Sequence, residues 1–555
     1  MAKTVLIPRP AATLILVRDA AQGIEVLLMQ RGMDAAVGGG AFVFPGGVLD
    51  PSDQDESLVS RCVGISDATA SRLINLERGG IAYWIAALRE CFEEAGLLLA
   101  YDEHDALLDL DNTDSGSRYA DLRKRLNAGE TLFADLCRTH NLRLATDRMA
   151  YWDHWITGAG RPRRYDTRFF IAVAPDAQSP SHDDGETVSN IWIRPAEALA
   201  RYRAGEIELI FPTFKSLEML AGFDSAGAAM AYARAPRPTP WMSPRSASGR
   251  DGPRLLFAGD FAYAEVGKLD PENAGNIAYE ILPGVVTRLS AKVRRITAPN
   301  PGFMTGPGTN TYLLGAGDDI ALIDPGPPND GHVQVLLEET KGRIRWILVT
   351  HTHMDHSPAA DLLRQKTGAQ LLGLPSPDDA RYDQSFRPDR VLAHGDRISV
   401  AGCTLRVINT PGHASNHLCY LLEDEKLLFT GDHIMQGSTV VISPPQGDMA
   451  AYFASLRLLQ QEDIAYLAPG HGFLMDKPQE MLERLLLHRM ERENKVLKAL
   501  RELGPATLDG LLPTVYKDVP SRMHPVAIRS LHAHLIKLKA DGRASEMDGQ
   551  WHRIA

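Results

Sequence analysis

The sequence predicts a multidomain protein of mixed α/β and α+β class. Three observations point there. The chain has 555 residues, well beyond the roughly 250–300 that a single hydrophobic core serves. Short apolar runs of strand length alternate with stretches of helical periodicity, the pattern of layered α/β domains. Between about residues 226 and 280 the composition turns rich in Ala, Pro, Ser, Arg and Gly, as in ARAPRPTPWMSPRSASGRDGP, which reads as a linker.

The segment ahead of that break, about 5–225, opens with the apolar runs Ala12–Val17 and Val26–Leu28 and the Gly-rich stretch Gly38–Gly47. A helix is expected over Ile81–Leu99, where aliphatic residues recur at three- and four-residue spacing. Strands are expected at Phe169–Ala174 and Ile191–Ile193. Beyond the break, about 281–488, strand-like runs at Asn310–Leu314, Ile320–Ile323, Ile344–Val349, Leu405–Asn409 and Leu427–Thr430 end in loops bearing Gly, Asp or His. The last stretch, 489–555, has helical periodicity through His488–Leu503 and Pro525–Lys539.

Composition narrows the function classes. A hydrophobic fraction of 44% and a charged fraction of 23% are those of an ordinary globular protein. The net charge of -11 argues against a chain-wide role on nucleic acid or anionic membranes. The N-terminal stretch MAKTVLIPRPAATLILVRD has no apolar core long enough for a signal peptide, and no run approaches the length needed to span a bilayer, so no membrane partner is expected. Cys62, Cys91, Cys137, Cys403 and Cys419 are scattered and lack CxxC spacing, which suits a reducing compartment. The cytoplasm is the expected location.

Two clusters carry chemistry. The first follows the strand Ile344–Val349, where His351, His353, Asp355 and His356 crowd into six residues. His413 in TPGHASNH, Asp432 in TGDH and His471 in APGHG then occupy the same kind of position after later strands. A satisfied loop histidine or a capping aspartate explains any one of these. It does not explain seven metal-competent side chains in Gly-flanked loops, whose imidazoles and carboxylates suit zinc. In the second cluster, Glu90, Glu93 and Glu94 fall at i, i+3 and i+4 on an otherwise apolar helix. Like charges on one face cost stability unless a cation joins them, and hard carboxylate oxygens suit Mg²⁺ or Mn²⁺.

The seven-residue set resembles that of the metallo-β-lactamase fold family, HxHxDH followed by separate His, Asp and His loops. The resemblance implies an αββα sandwich holding two zinc ions. His351, His353 and His413 would hold one, Asp355, His356 and His471 the other, and Asp432 would bridge them, with Asp324 of IDPG orienting a ligand. Two such ions acidify a water and stabilise developing negative charge, so Asp355 stands among the expected catalytic residues. GFMTGPGTNTYLLG (302–315), TPGHASNHLCYLL and STVVISPPQGDM (438–449) look like the β-lactamase-like-protein-2 group within this fold. That implies a thioesterase or a single-strand-specific endoribonuclease, ending in a small winged-helix-like domain. Residues 489–555 carry 12 Lys and Arg against 8 Asp and Glu, a surplus compatible with a phosphate backbone.

The N-terminal half resembles a Nudix hydrolase, an α/β/α sandwich, over roughly residues 8–222. Arg89-Glu90-Cys91-Phe92-Glu93-Glu94-Ala95-Gly96-Leu97 fits the second half of the Nudix box, and Phe44–Asp50 the first. The two halves lie 42 positions apart, from Gly47 to Arg89, an insertion that looks like the branch containing coenzyme A diphosphatases. The Glu expected after the Gly pair is replaced by Asp50 or by a residue of the insertion. FPGGVLDP, RRYDTRFF (163–170), Glu186 ahead of Trp192, and IFPTFKSLEML (210–220) support the same branch. By this resemblance Arg31, Gly46, Gly47 and Arg89 hold substrate near the metal. Glu90, Glu93 and Glu94 ligate Mg²⁺ or Mn²⁺, and Glu93, Glu94 and Glu186 are the candidate acids and bases. The implied substrates are CoA, acyl-CoA or a nucleoside diphosphate derivative. Single-stranded RNA is the alternative, with the Nudix half then a nucleotide-binding or regulatory module.

Overall fold

The computed structural model describes residues 6–33, 38–158, 161–183, 185–315 and 317–554. The chain divides into two compact units, Met1–Pro244 and Arg245–Ala555.

The first unit is built on a seven-stranded mixed sheet. β1 (Arg9–Ala20) pairs antiparallel with β2 (Gly23–Arg31) and parallel with β6 (Tyr165–Val173). The path continues from β2 to β3 (Phe42–Val43) and from β6 to β5 (Met149–Ile156). β4 (Gly46–Val48) pairs with β1, and β7 (Thr187–Ile193) with β2. Both faces of β1 are covered, which explains its near-continuous apolar run. Leu14 and Leu16 face helix α1 (Ile81–Ala95), while Ile15 and Val17 face the opposite core with Leu217 and Met230. This is the expected α/β/α sandwich.

Two expectations change here. The helix through the acidic cluster ends at Ala95 rather than Leu99. Gly96 turns into the left-handed region at φ 71° and its N–H caps the Phe92 carbonyl, the usual way a glycine stops a helix. The start of the expected linker is also folded. Ala226–Arg234 forms helix α2, N-capped by Ser225, and buries Ala226, Ala229, Met230 and Ala233. Its Ala-rich composition reads as linker, yet those four residues fall on one helical face.

The second unit is a sandwich of two sheets. The first runs β8 (Val286–Arg288), β9 (Val293–Thr297), β10 (Asn310–Leu314), β11 (Ile320–Ile323), β12 (Ile344–Leu348), β13 (Gln370–Gly373) and β14 (Arg390–Val391). The second runs β15 (Arg397–Val400), β16 (Cys403–Asn409), β17 (Leu418–Leu422), β18 (Leu427–Gly431) and β19 (Tyr466–Pro469). Alternate residues sort by face. Tyr312, Leu314 and Ile323 meet Leu405, Tyr420 and Phe429 between the sheets.

The outer face of the first sheet, with Leu313 and Leu322, packs on helices α4 (Asp330–Thr340) and α5 (Ala359–Thr367). The outer face of the second, with Leu421 and Leu428, packs on α6 (Met449–Leu459) and α7 (Pro478–Leu503). The layers are αββα.

The expected linker from Arg245 onward belongs to this unit. Arg245–Ala247 and Arg254–Leu256 form a hairpin, and helix α3 (Tyr263–Leu269) follows. Helix α7 runs unbroken across residue 488, so the expected boundary there falls inside a helix. Its last turns, with Val496 and Leu500, join α8 (Leu508–Val515), α9 (His524–Ala540) and the hairpin of β20 (Ala544–Met547) and β21 (Gln550–Arg553) in one small core around Trp551. Among the described residues no helix is long and apolar enough to cross a membrane.

Candidate active sites

Each side chain of the His/Asp set leaves the carboxyl-terminal end of a strand or the loop after it, on one rim of the αββα sandwich. The structure brings them together as two groups, His351 with His353 and His413, and Asp355 with His356, Asp432 and His471. In each group the ligand atoms lie within 4.8 Å of one another. His353 Nδ1 sits 2.9 Å from His351 Nε2 and 3.0 Å from His413 Nε2. His471 Nε2 is 3.3 Å from both Asp355 Oδ2 and Asp432 Oδ1. Asp432 reaches both groups: Oδ1 lies 3.4 Å from His356 Nε2, and Oδ2 lies 3.9 Å from His413 Nε2.

The opposite ring nitrogens are tied down. His413 Nδ1 meets the Val441 carbonyl at 2.8 Å, and His471 Nδ1 the Gly308 carbonyl at 3.2 Å. His356 Nδ1 meets Asp324 Oδ2 at 2.9 Å. Asp324 is held in turn by the Thr350 N–H and hydroxyl, both 2.7 Å away. Such bonds fix which nitrogen is left to a metal. Gly470 gives the set room, since a Cβ there would come within 2.7 Å of Asp432 Oδ1 and His356 Cε1.

The donor set fits divalent cations. His356 Nε2, His471 Nε2 and Asp432 Oδ1 are buried without a hydrogen-bond partner, a costly condition for polar atoms unless a ligand takes them up. Burial, reinforced by neighbouring histidines, holds His351 well below the usual imidazole range and His353 at about 3, so both are neutral donors. His471 goes the other way. Burial opposes its charge, but Asp432 and Asp355 outweigh that and raise it to about 9. Positive charge is already favoured there, and a metal supplies it without the proton.

A cavity of about 580 Å³ opens over His353, Asp355, His413, Asp432 and His471. Phe261, Phe303 and Met304 line its apolar side and are 61%, 73% and 47% exposed. Phe261 comes from the segment expected as linker, so composition hid it. Tyr382, whose ring centroid is 4.5 Å from that of His353, was also missed. No spacing signal marks either residue.

In the first unit, helix α1 places Glu90, Glu93 and Glu94 against β4. Glu94 accepts the Gly46 N–H at 3.0 Å. A Cβ on Gly47 would fall 2.5 Å from the Glu90 carboxylate, so glycine is what lets that carboxylate approach the strand. Burial, then the charge of Glu90, raises Glu94 well above the usual range. Glu186 adds to this and Arg31 opposes it, so both expected residues act on the Glu94 carboxylate. Burial likewise lifts Glu90 to about 7 despite Arg89.

Arg89 departs from its expected role beside the substrate. It is 7% exposed, and its guanidinium is spent on Asp53 at 2.8 and 2.9 Å, Glu90 at 2.9 Å, Glu93 at 2.8 Å and the Val48 carbonyl at 3.0 Å. It is the cation that gathers the acidic face. Asp53 comes from the insertion and is fully buried, whereas Asp50 only caps the short turn Pro51–Gln54. The insertion therefore supplies the partner acid, which sequence spacing could not single out. Among the described residues, the two groups that bring three or more metal-competent atoms within 4.8 Å both lie in the second unit. Glu90 and Glu93 are drawn toward Arg89 while Gly46 holds Glu94, so the three glutamates form no such group.

The comparisons agree with both halves. The family model for the metallo-beta-lactamase superfamily matches residues 304–471, that for the NUDT19 Nudix domain residues 2–220, and that for the beta-lactamase associated winged helix domain residues 507–551. A beta-lactamase-like protein 2 homolog of Caenorhabditis elegans is 32% identical over 46% of this chain and 87% of its own length. A protein of Aspergillus chevalieri named atrochrysone carboxyl ACP thioesterase is 33% identical over 48% of this chain and 86% of its own. Among solved structures, a metallo-beta-lactamase family protein of Thermus thermophilus is 21% identical with a TM-score of 0.42, over 48% of this chain and all of that one. The chain is thus a hydrolase that belongs to the metallo-beta-lactamase superfamily with the beta-lactamase-like protein 2 homologues, preceded by a Nudix domain of the NUDT19 type and closed by a beta-lactamase-associated winged helix.

Proposed function

We propose that the second unit is a dinuclear zinc hydrolase acting on a thioester or related ester. The first unit, in the same reading, hydrolyses a nucleoside-diphosphate-linked metabolite such as CoA with Mg²⁺ or Mn²⁺. The observation that carries the first statement is Asp432, whose two oxygens face the two ligand groups. His351, His353 and His413 would hold one ion, and Asp355, His356 and His471 the other, with Asp432 shared. When bound, such ions supply Lewis acidity and an activated water. The chain's own part is to fix the ring nitrogens through Asp324, Val441 and Gly308, and to offer an apolar wall of Phe261, Phe303 and Met304 beside the reacting bond. That wall suits an acyl group. The thioesterase name of the Aspergillus relative supports the same choice.

In the first unit Glu90, Glu93 and Glu94 would hold the cation. Their elevated proton affinity is relieved when a divalent ion joins them. Arg31 and Glu186 stand close enough to Glu94 to act on its charge, which supports Arg31 as a phosphate contact and Glu186 as an accessory acid. Gly46 and Gly47 keep the strand near enough for both contacts.

The test is hydrolysis of CoA, an acyl-CoA, ADP-ribose and a single-stranded RNA by wild type, Asp355→Ala and Glu94→Gln, with Zn²⁺ and Mg²⁺ supplied. Acyl-CoA hydrolysis lost in Asp355→Ala, with CoA cleavage lost in Glu94→Gln, is the expected result. RNA cleavage lost in Asp355→Ala, with both CoA substrates untouched, overturns it in favour of a nuclease.

A further inference from the structure

The cavity over the metal-competent residues has a second wall, supplied by α7 and α9. Arg489, Arg492 and Arg529 line it, and Arg381 stands at its edge. The carboxylates that line the cavity are Asp355 and Asp432, both committed to the ligand groups. Arg492 is paired with Asp518 at 2.8 Å and Arg381 with Asp379 at 2.6 Å.

Arg489 and Arg529 differ from these. Neither forms an ion pair among the described residues. Arg489 is 3% exposed. It donates to the Val440 carbonyl and stacks over the Tyr452 ring at 5.3 Å, but its Nε is buried with no partner. Arg529 is exposed and lines the same wall. A buried guanidinium with an idle donor and no counter-ion is costly in isolation. An anion entering the cavity would supply the missing counter-charge, and the planar fork of Arg suits phosphate oxygens.

We infer that Arg489 and Arg529 form a phosphate subsite, so that the C-terminal winged helix takes part in substrate recognition at the metal centre. The occupant has an apolar end against Phe261, Phe303 and Met304 and a phosphate at the arginine wall. An acyl thioester of a phosphopantetheine arm has that chemistry, whether free as in CoA or carried on a protein. This inference rests on the thioester reading above.

The experiment compares kcat/KM for acyl-CoA, acyl-phosphopantetheine and acyl-pantetheine, which lacks the phosphate, in wild type, Arg529→Ala and Arg489→Lys. In parallel, 4′-phosphopantetheine and pantetheine are titrated calorimetrically into the same three full-length proteins. Neither probe offers a diphosphate to the Nudix unit. Wild type should prefer the phosphorylated thioesters, and bind the phosphorylated probe more tightly, by about tenfold, the scale of one charge-assisted hydrogen bond. Each variant should lose most of that ratio.

Equal ratios in wild type overturn the subsite and leave the thioester reading standing. If no thioester is hydrolysed, that reading falls and the titration alone decides the subsite. A phosphate preference lost in Arg529→Ala then supports it, and no preference overturns it. A single-stranded RNA that displaces phosphopantetheine and is cut only with Asp355 intact overturns the assignment to a small thioester. Equal tightening by inorganic phosphate in wild type and both variants overturns it as well.

Discussion

Glu265 and Arg295 form a two-point ion pair, 2.6 and 2.9 Å, with both side chains 2% exposed. Glu265 belongs to α3, in the stretch whose composition reads as a linker, and Arg295 to β9. Glu265 Oε2 also accepts the Leu474 N–H at 2.8 Å, in the loop that follows His471. The segment ahead of the sandwich is therefore clamped to a ligand-bearing loop. Removing one partner of a buried pair leaves the other charge without compensation, at a cost of roughly 3–5 kcal/mol. Glu265→Ala is expected to lower the calorimetric transition of the second unit and to weaken zinc retention. A transition unchanged in temperature would contradict the clamp.

Asp324 bonds His356 directly, and the Thr350 hydroxyl that it holds lies 3.1 Å from His351 Nδ1. Asp324→Ala is expected to free the His356 ring and to lower zinc affinity about 10–100-fold, the usual effect of losing such an orienting carboxylate. Chelator competition measures this. Affinity equal to wild type would show that packing, not the hydrogen bond, sets the ring.

Gly470→Ala tests how tightly the ligands are packed. The new Cβ would meet Asp432 Oδ1 and His356 Cε1 at 2.7 Å, closer than non-bonded contact allows. The expected result is a loss of metal stoichiometry by elemental analysis with the fold retained by circular dichroism. Two ions bound per chain would mean that the loop yields.

Glu90 predicts a pH dependence. Its carboxyl is raised from 4.5 to about 7, chiefly by burial. Between those values the folded chain keeps a proton that the unfolded chain releases, so stability falls as pH rises through this window. Above about 7 the loss is complete. In metal-free protein, the advantage of Glu90→Gln over wild type in Tm of the first unit should grow from pH 5 to pH 7.5. Mg²⁺ should reverse it by stabilising wild type alone. A constant difference across pH would contradict a buried, proton-holding Glu90.

The strands and the His and Asp side chains that gather on one rim were legible in the chain itself. Each of these side chains follows a short apolar run, in the HxHxDH cluster or in a Gly-flanked loop, so local sequence states both the element and the chemistry. The helix bearing Glu90, Glu93 and Glu94 was legible for the same reason, since its apolar spacing and its acidic face belong to one stretch. The rest depends on residues far apart in sequence. Asp53 reaches Arg89 across 36 positions and Glu265 reaches Arg295 across 30, and neither partner carries a local mark of the other. Arg89 looked like a substrate contact until the fold surrounded it with three carboxylates. The Ala-rich and Pro-rich stretch after residue 225 looked unstructured because burial of small side chains leaves no strong hydrophobic signal. Arg489 and Arg529 looked like ordinary helix charges. Packing α7 and α9 beside the ligand loops turned them into a cavity wall, because which face of a helix meets a cavity is set by its neighbours and not by its own periodicity.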